Sequence, residues 1–506
     1  MALDTIAGAE RPRAGRLGAP NLLTASRRVA ARVPPVLALM LCVAGLTAVV
    51  WAVVLPPLQG PDEVSHFAYV QTIAETGSIP WHTSTPAQPG NAYSEEVAIA
   101  GQCSGITGLA QNLAARAPTT KLDEQVCKKA LDGLPSRYRA DGGFTSAEKN
   151  PPLYYLYEAV PYLIFDGSSF FTRAFAMRLA NVPLMLALVV FAWLLAGELL
   201  LGLPRGRLLR AVAVAAVVLN PQLTMMTATI NPDVLLALEW TAGLWLSVVI
   251  LRRGWTVPRV AWLVATCTFA GFTQGRGLPL IPVAVLALLG ALWQSRRPRG
   301  ATAAALIGGC ALAVTGGGFL LLRYALLDEL SWARVRQFGS YVWQFYLPRV
   351  GSMKPSIHPG FGVRQVFIDR FLGTFAQLEV TFSQSTLDFL SRAAEVTAIF
   401  ALVALVVFRR RVLRARWVLA LLAGAALVYM AMLHAVAFNS LLTLPADPVI
   451  TGRYLLPLLA LYGVGIALAL SWLPRTLSSV LSGATIAALS VLQLGALAVV
   501  LERFYA

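Results

Sequence analysis

Charge is what this sequence has least of. Asp, Glu, Lys and Arg make up 13% of the chain, about half of the roughly 25% typical of soluble domains, while 57% of residues are hydrophobic. That balance excludes a water-soluble globular enzyme and implies an integral membrane protein. Acids are the scarcer sign: 25 Asp and Glu against 41 Lys and Arg leave a net charge of +16. In a soluble protein such an excess would point to nucleic acid. Here the arginines gather in short segments between apolar runs, where membrane topology explains them and no nucleic-acid partner is expected. Also missing are a P-loop, a dinucleotide-binding glycine fingerprint and any stretch resembling a soluble catalytic domain. The triplet Gly316–Gly318 sits inside an apolar run and reads as close helix packing. Cysteine is sparse as well, five in all. Cys42, Cys267 and Cys310 fall in apolar runs, whereas Cys103 and Cys127 share the first large polar loop, as a disulfide or as two free thiols.

What is present is a series of apolar runs. Residues 1–35 form a basic, Ala/Gly/Pro-rich segment read as a cytoplasmic tail. The run Val36–Leu55 follows and reads as a retained first span rather than a signal peptide. Further runs near 178–201, 211–227, 234–251, 259–275, 277–294, 301–323, 392–408, 417–438, 454–473 and 477–499 bring the expectation to about eleven transmembrane helices in an all-α polytopic protein, residues 36–506. Every second short loop is basic: Arg205/Arg207/Arg210, Arg252/Arg253, Arg296/Arg297/Arg299 and Arg409/Arg410/Arg411/Arg414/Arg416. With the N-terminus inside, one orientation satisfies them all and puts two large loops, 56–177 and 324–391, outside an inner (cytoplasmic) membrane.

Both loops are too long to be connectors. In the first, Val64, Phe67, Val70, Ile73 and Ala74 suggest an amphipathic interfacial helix, Pro151–Tyr162 suggests another, and a polar Gly-containing stretch between them reads as a flap. The second mixes Trp332, Trp343, Phe345 and Tyr346 with Arg334, Arg336, Arg349, Lys354, Arg364 and Arg370. Such a surface suits lipid headgroups or saccharides, and equally suits plain interfacial anchoring.

Five motifs carry chemistry-bearing residues. Immediately after the first span comes Pro56–Phe67, PPLQGPDEVSHF. With Pro61 opening a helix, Asp62, Glu63 and His66 fall in its first turns, Asp62 and His66 four apart on one face. Acids beside a hydrocarbon slab mark a site, although acids at a helix N-terminus also simply favour the dipole. Glu148-Lys149-Asn150-Pro151-Pro152-Leu153-Tyr154-Tyr155 closes the loop, a stiff helix entry that can aim Lys149 or Asn150 toward the same cavity. Asn231-Pro232-Asp233 has a complete structural explanation as cap, first-turn proline and first-turn acid. Arg276, in Thr273-Gln274-Gly275-Arg276-Gly277, and Arg453, in Thr451-Gly452-Arg453-Tyr454, lie outside against the inward bias of arginine. Paired guanidinium hydrogen bonds suit phosphate oxygens and the flanking glycines admit a ligand; the bland alternatives are ion pairs with Asp233, Glu379 or Asp447, or snorkelling to headgroups.

Taken in order, Pro61-Asp62-Glu63-x-x-His66-Phe67, Pro151-Pro152-Leu153-Tyr154-Tyr155, Asn231-Pro232-Asp233 and Gly452-Arg453-Tyr454-Leu455-Leu456-Pro457 resemble a bacterial family of predicted membrane proteins of unknown function. That family looks like a branch of the GT-C glycosyltransferases, which use polyprenyl-phosphate sugars. The similarity runs from about Leu37 to Leu473. It implies a GT-C-like membrane domain, a catalytic acid at Asp62, and a lipid-phosphate contact at Arg276 in place of the more usual Lys. Where that pattern has His or Lys before Pro-Pro, this chain has Asn150, with Lys149 displaced by one.

The expected function is therefore transfer of a sugar from a polyprenyl-phosphate donor to a glycan or cell-wall acceptor at the extracytoplasmic face. Asp62 is expected as general base oriented by His66, with Glu63 assisting or joining Asp62 on a divalent cation. Arg276, Arg453 and Lys149 are expected on the donor phosphate, and Asn150, Tyr154, Asn231, Asp233 and Tyr454 on substrate. A flippase or transporter for lipid-linked saccharides, an en bloc ligase or polymerase, and a noncatalytic polymer-binding subunit are the alternatives.

Overall fold

The computed structural model describes residues 33–80, 94–104, 121–132, 134, 146–294, 331–353, 362–377, 379–443 and 450–505. Helix α1 (Pro35–Val54) opens with a proline at its first position, where a missing N–H is harmless. Its Leu39, Leu46 and Val53 are exposed while Ala44, Ala48 and Trp51 are buried, as a helix between hydrocarbon and a protein core requires. The first polar loop then builds α2 (Glu63–Thr76), α3 (Glu95–Cys103), α4 (Lys121–Asp132) and α5 (Leu153–Ile164). The chain returns through α6 (Phe170–Leu199), crosses again as α7 (Gly206–Val218) and α8 (Pro221–Thr227), and continues with α9 (Asp233–Arg253), α10 (Val257–Thr273) and α11 (Leu280–Gln294). After α12 (Trp332–Tyr346) come a two-stranded antiparallel hairpin, β1 (Thr374–Phe375) and β2 (Val380–Thr381), then α13 (Gln384–Val407), α14 (Arg416–Thr443), α15 (Leu459–Ser471) and α16 (Arg475–Tyr505).

The protein is a polytopic helical membrane protein. Among the described residues eight helices are long and apolar enough to cross a bilayer, or nine if α7 and α8, bent by 53° at their junction, form one span. The 17-residue α10 is a shorter apolar helix. Of the eleven expected runs, 301–323 lies outside the described residues, as do the 1–32 segment, Cys310, Gly316–Gly318, Lys354 and Asp447.

Helix α9 is the axis of the bundle, packed against α6, α10 and α11 and buried along almost its whole length. Its charges match the helix dipole at both ends, Asp233 in the first turn and Arg252 and Arg253 in the last, with Gly254 ending it at φ 80°. At the far end, Arg253 pairs with Glu198, and Arg205 caps carbonyls at Ser471, Leu473, Pro474 and Arg475. The basic turns that carry Arg205 and Arg252/Arg253 thus share one end of the bundle, about 30 Å along α9 from Asp233, while Arg296, Arg297 and Arg299 lie outside the described residues.

Helix α2 departs from expectation. It is not a half-wet interfacial helix: every residue from Ser65 to Ile73 is buried. It belongs to a second apolar core, in which its Phe67 and Tyr69 pack with Tyr154, Tyr155, Tyr162 and Phe170, braced by the buried Glu96–Arg173 pair. Helix α5 does turn an apolar face outward, Leu156, Val160, Leu163 and Ile164. Much of the expected flap lies outside the described residues, but its α3 and α4 are tied by a Cys103–Cys127 disulfide. In the second loop, α12 exposes Trp332 and Trp343 while burying Tyr341 and Phe345 against Phe438.

Candidate functional site

The end of the bundle opposite the basic turns collects four chain segments: the turn after α1, the Asn231–Asp233 entry to α9, the Gly275–Gly277 turn after α10, and the 3-10 turn Gly452–Leu458 before α15. The first of these is bent hard. Leu58 (φ 62°) and Asp62 (φ 57°) both adopt left-handed backbone, unusual for residues other than glycine. Helix α2 therefore starts at Glu63, not Pro61, and Asp62 lies just outside it without capping it.

That kink sends two neighbouring carboxylates in different directions. Glu63 turns inward and is fully buried. Arg178 of α6 grips both its oxygens at 2.7 Å and also donates to the carbonyls of Leu55 and Pro56, while the backbone N–H groups of Gly60 and Ile230 complete the carboxylate. Asp62 turns outward: its side chain is 45% exposed, and its Oδ2 meets Nη2 of Arg453 at 2.6 Å. Burial is the largest influence and works against the Asp62 charge, but the neighbouring charges together, Arg453 foremost with Arg276 behind it, outweigh burial and hold the carboxyl below the usual aspartate value. Since Asp62 and Glu63 serve different arginines, they form no joint cation site. Among the described residues no group of three or more His, Cys, Asp or Glu could hold a metal ion.

A second acid–arginine pair stands beside the first. Arg276 donates to Asp233 at 2.5 Å, and its guanidinium lies 3.9 Å from the centre of the Tyr454 ring, which the Arg453 guanidinium also approaches at 5.3 Å. Tyr429 of α14 fixes that segment by donating to the Tyr454 carbonyl at 2.5 Å, and Trp240 holds the Arg276 carbonyl. Hydrogen-bonding capacity is left over. Nε and Nη1 of Arg453, Nη1 of Arg276 and Oδ2 of Asp233 are buried with no partner among the described residues. Unmet guanidinium N–H groups on two adjacent arginines are the donors that an anionic ligand requires.

His66 does not orient Asp62. Its Nδ1 meets the Tyr155 hydroxyl at 2.9 Å and its Nε2 meets Nδ2 of Asn231 at 3.1 Å. Asn231 is itself pinned, because its Oδ1 accepts the Asp233 N–H while Nδ2 also donates to the Pro61 carbonyl. An amide nitrogen only donates, so His66 Nε2 is an acceptor and Nδ1 carries the proton. Burial lowers the imidazole pKa to about 4 despite the opposing Asp62 charge. Asn231 and Tyr154, expected on substrate, are occupied internally: the Asn231 N–H binds the Tyr154 hydroxyl, which also meets Asn181. Asn150 donates to the Tyr155 hydroxyl, and burial raises the Tyr154 and Tyr155 phenols well above their usual pKa. Lys149 is exposed and has no ion pair among the described residues.

The structure thus unites Asp62, Asp233, Arg276, Arg453 and Tyr454, sets Glu63, His66, Asn150, Tyr154 and Asn231 behind them, and leaves Lys149 apart. Arg178, Tyr155 and Tyr429 were not assigned from the sequence. Arg178 had a signal, an arginine at the edge of an apolar run, which demands a partner. The glycines act differently from expectation too. A Cβ on Gly452 would overlap the backbone of Arg370 and Phe371, and one on Gly277 would overlap Ala270, so both serve packing; of the three glycines that flank Arg276 and Arg453, Gly275 alone faces open space.

The family model described as "Predicted membrane protein (DUF2142)" matches residues 46–462. No curated relative matches. Among solved structures, the chain is similar to the oligosaccharyltransferase of Archaeoglobus fulgidus. The apo form matches at 13% identity and TM-score 0.43, over 93% of this chain and 55% of that one. The form in complex with an inhibitory peptide and a dolichol-phosphate matches at 12% identity and TM-score 0.46, over 93% and 56%. The chain spans about half the length of those proteins, and at this distance the likeness assigns it no activity.

Proposed function

The chain belongs to the DUF2142 family of predicted membrane proteins, and on that premise we propose that it is a membrane glycosyltransferase, moving a sugar from a polyprenyl-phosphate donor to a glycan or cell-envelope acceptor outside the inner membrane. One observation carries the reading: two arginines on a shared tyrosine ring, with three buried N–H positions unpartnered, stand beside a half-exposed aspartate. A phosphate fits the arginines, and an alcohol can reach the acid. The Cys103–Cys127 disulfide supports an oxidising compartment for this end, and the basic turns at the other end support the cytoplasm there.

In this reading the acceptor oxygen attacks the anomeric carbon while the bond from that carbon to the phosphate oxygen breaks. The hydroxyl proton passes to Asp62, and the electron pair leaves with the polyprenyl phosphate, whose added charge Arg276 and Arg453 stabilise. Direct displacement inverts the anomeric centre. Asp233 holds Arg276 in place, and the network of His66, Asn231, Tyr154 and Tyr155 holds the turn that carries Asp62. Any divalent cation would have to use Asp62 with donors other than Glu63.

The experiment is transfer of labelled sugar from polyprenyl-phosphate donors in membranes containing the full chain. Asp62→Asn should slow transfer by roughly 100-fold or more; undiminished transfer removes the base. A transport reading draws on Glu239, a buried acid inside α9 whose Oε2 has no partner among the described residues. Loss of lipid-linked saccharide translocation in Glu239→Gln, with no transfer by the unaltered chain, would favour it.

A further inference from the structure

The charged side chains of the site already balance one another. Asp62 occupies Arg453 and Asp233 occupies Arg276, each through one carboxylate oxygen. The two pairs are unequal in burial: Asp233 is 2% exposed, whereas Asp62 is 45% exposed against an Arg453 that is only 9% exposed. Asp62 also sits on left-handed backbone at the end of a kinked turn, held to the opposite segment by that one ion pair and set 391 residues away in sequence. Arg453 has two further N–H positions with no partner among the described residues. An arriving phosphate therefore meets a guanidinium that can bind it, but whose charge is already shared with a half-exposed carboxylate.

We propose that Asp62 is an internal stand-in for the donor phosphate: phosphate binding draws Arg453 away from Asp62, so the base is freed only when the donor is in place. This rests on the transferase reading above and adds its control. While paired, the carboxylate is a weak base because Arg453 favours its ionised form. Once phosphate shares or takes that guanidinium, the carboxylate keeps its charge without its counterion and its proton affinity rises. Charge balances through the step. As the acceptor hydroxyl bonds to the anomeric carbon and the carbon–oxygen bond to phosphate breaks, Asp62 gains the hydroxyl proton and becomes neutral. The leaving phosphate gains the negative charge Asp62 has lost. Arg453, drawn off Asp62 by the donor, then carries the added charge of the leaving phosphate while Asp62 stands neutral.

The consequence is an inverse relation between binding and turnover that an ordinary catalytic acid would not give. Asp62→Asn preserves size, and asparagine tolerates left-handed backbone at least as well as aspartate, so the turn is kept. The full chain in phosphatidylcholine vesicles is titrated with a polyprenyl monophosphate, and transfer is measured in parallel. Asp62→Asn should bind the polyprenyl monophosphate about 3- to 30-fold more tightly than the unaltered chain, because the competing anion is gone, while transfer is lost. Arg453→Ala should bind it more weakly, and Glu95→Gln, on the exposed face of α3, should match the unaltered chain in both. Unchanged or weaker binding by Asp62→Asn, alongside normal transfer by the unaltered chain, overturns the stand-in role and leaves the transferase reading intact. Binding by Arg453→Ala equal to that of the unaltered chain removes the phosphate site, and both readings with it.

Discussion

Asn231 donates a side-chain amide hydrogen to Nε2 of His66 across 3.1 Å, and through that bond α9 dictates the protonation state of α2. A second proton on His66 would face an N–H group, so the imidazole stays neutral.

The first prediction follows. The folded-state pKa near 4 lies below the ordinary 6.5, so between these values the unfolded chain binds the extra proton. Stability contributed by neutral His66 is complete above pH 6.5 and is lost as pH falls toward 4, by an amount on the order of 3 kcal/mol. Asn231→Asp offers an acceptor to Nε2 and should raise the His66 pKa toward or above 6.5. Nitrogen-15 NMR of labelled histidine checks both; a His66 titrating near 6.5 in the unaltered protein would contradict the assignment.

Glu63 and Arg178 should behave as a structural clamp. Arg178→Ala leaves a buried carboxylate unpaired and is expected to destabilise the protein by about 3–5 kcal/mol, visible as a lower thermal midpoint in detergent. Glu63→Gln should lose stability too, while its residual folded fraction keeps normal acceptor and donor affinity. A Glu63→Gln protein of full stability without transfer would return Glu63 to the chemistry.

Tyr454 should matter for its ring, not its hydroxyl. The ring lies under Arg276 and beside Arg453. Tyr454→Phe is expected within about 2-fold of the unaltered chain in polyprenyl monophosphate binding, and Tyr454→Leu about 10-fold weaker, from the loss of two cation–π contacts of roughly 0.5–1 kcal/mol each.

The disulfide gives a test of orientation. Cys103 and Cys127 should resist alkylation until reductant is added to intact cells, read by mass spectrometry. Replacing both by serine should lower stability by about 2–4 kcal/mol, given a closed loop with sequence separation 24. Free thiols at both positions in untreated cells would count against an extracytoplasmic loop.

Much of this was legible in the residues. Spans followed from hydropathy, and Asp62, Arg276 and Arg453 stood out because each is charged where the topology disfavours charge. The alternatives first set beside the arginines also hold in part, since Arg276 does pair with Asp233. What could not be read is direction. Adjacency made Asp62 and Glu63 look like partners, yet a positive φ at Asp62 parts them. A four-residue spacing tied His66 to Asp62 only if both lay on one helix, and Asp62 lies off it. The apolar stripe of α2 suggested a wet opposite face, but aromatic residues of α5 and α6 from beyond the flap cover that face. Such long-range closure leaves no periodic trace in α2 itself.

The Asp62–Arg453 bond has a consequence for how the protein is made. With 391 residues between the partners, and synthesis at roughly 5–20 residues per second, Asp62 leaves the ribosome some 20–80 s before its arginine. Throughout that interval the nascent chain carries an acid beside the bilayer with no counterion, and a chain arrested anywhere before the 3-10 turn at Gly452 can never neutralise it. Quality-control proteases that recognise an unmet charge at the membrane surface would thus find every truncated product marked, and every finished one silent.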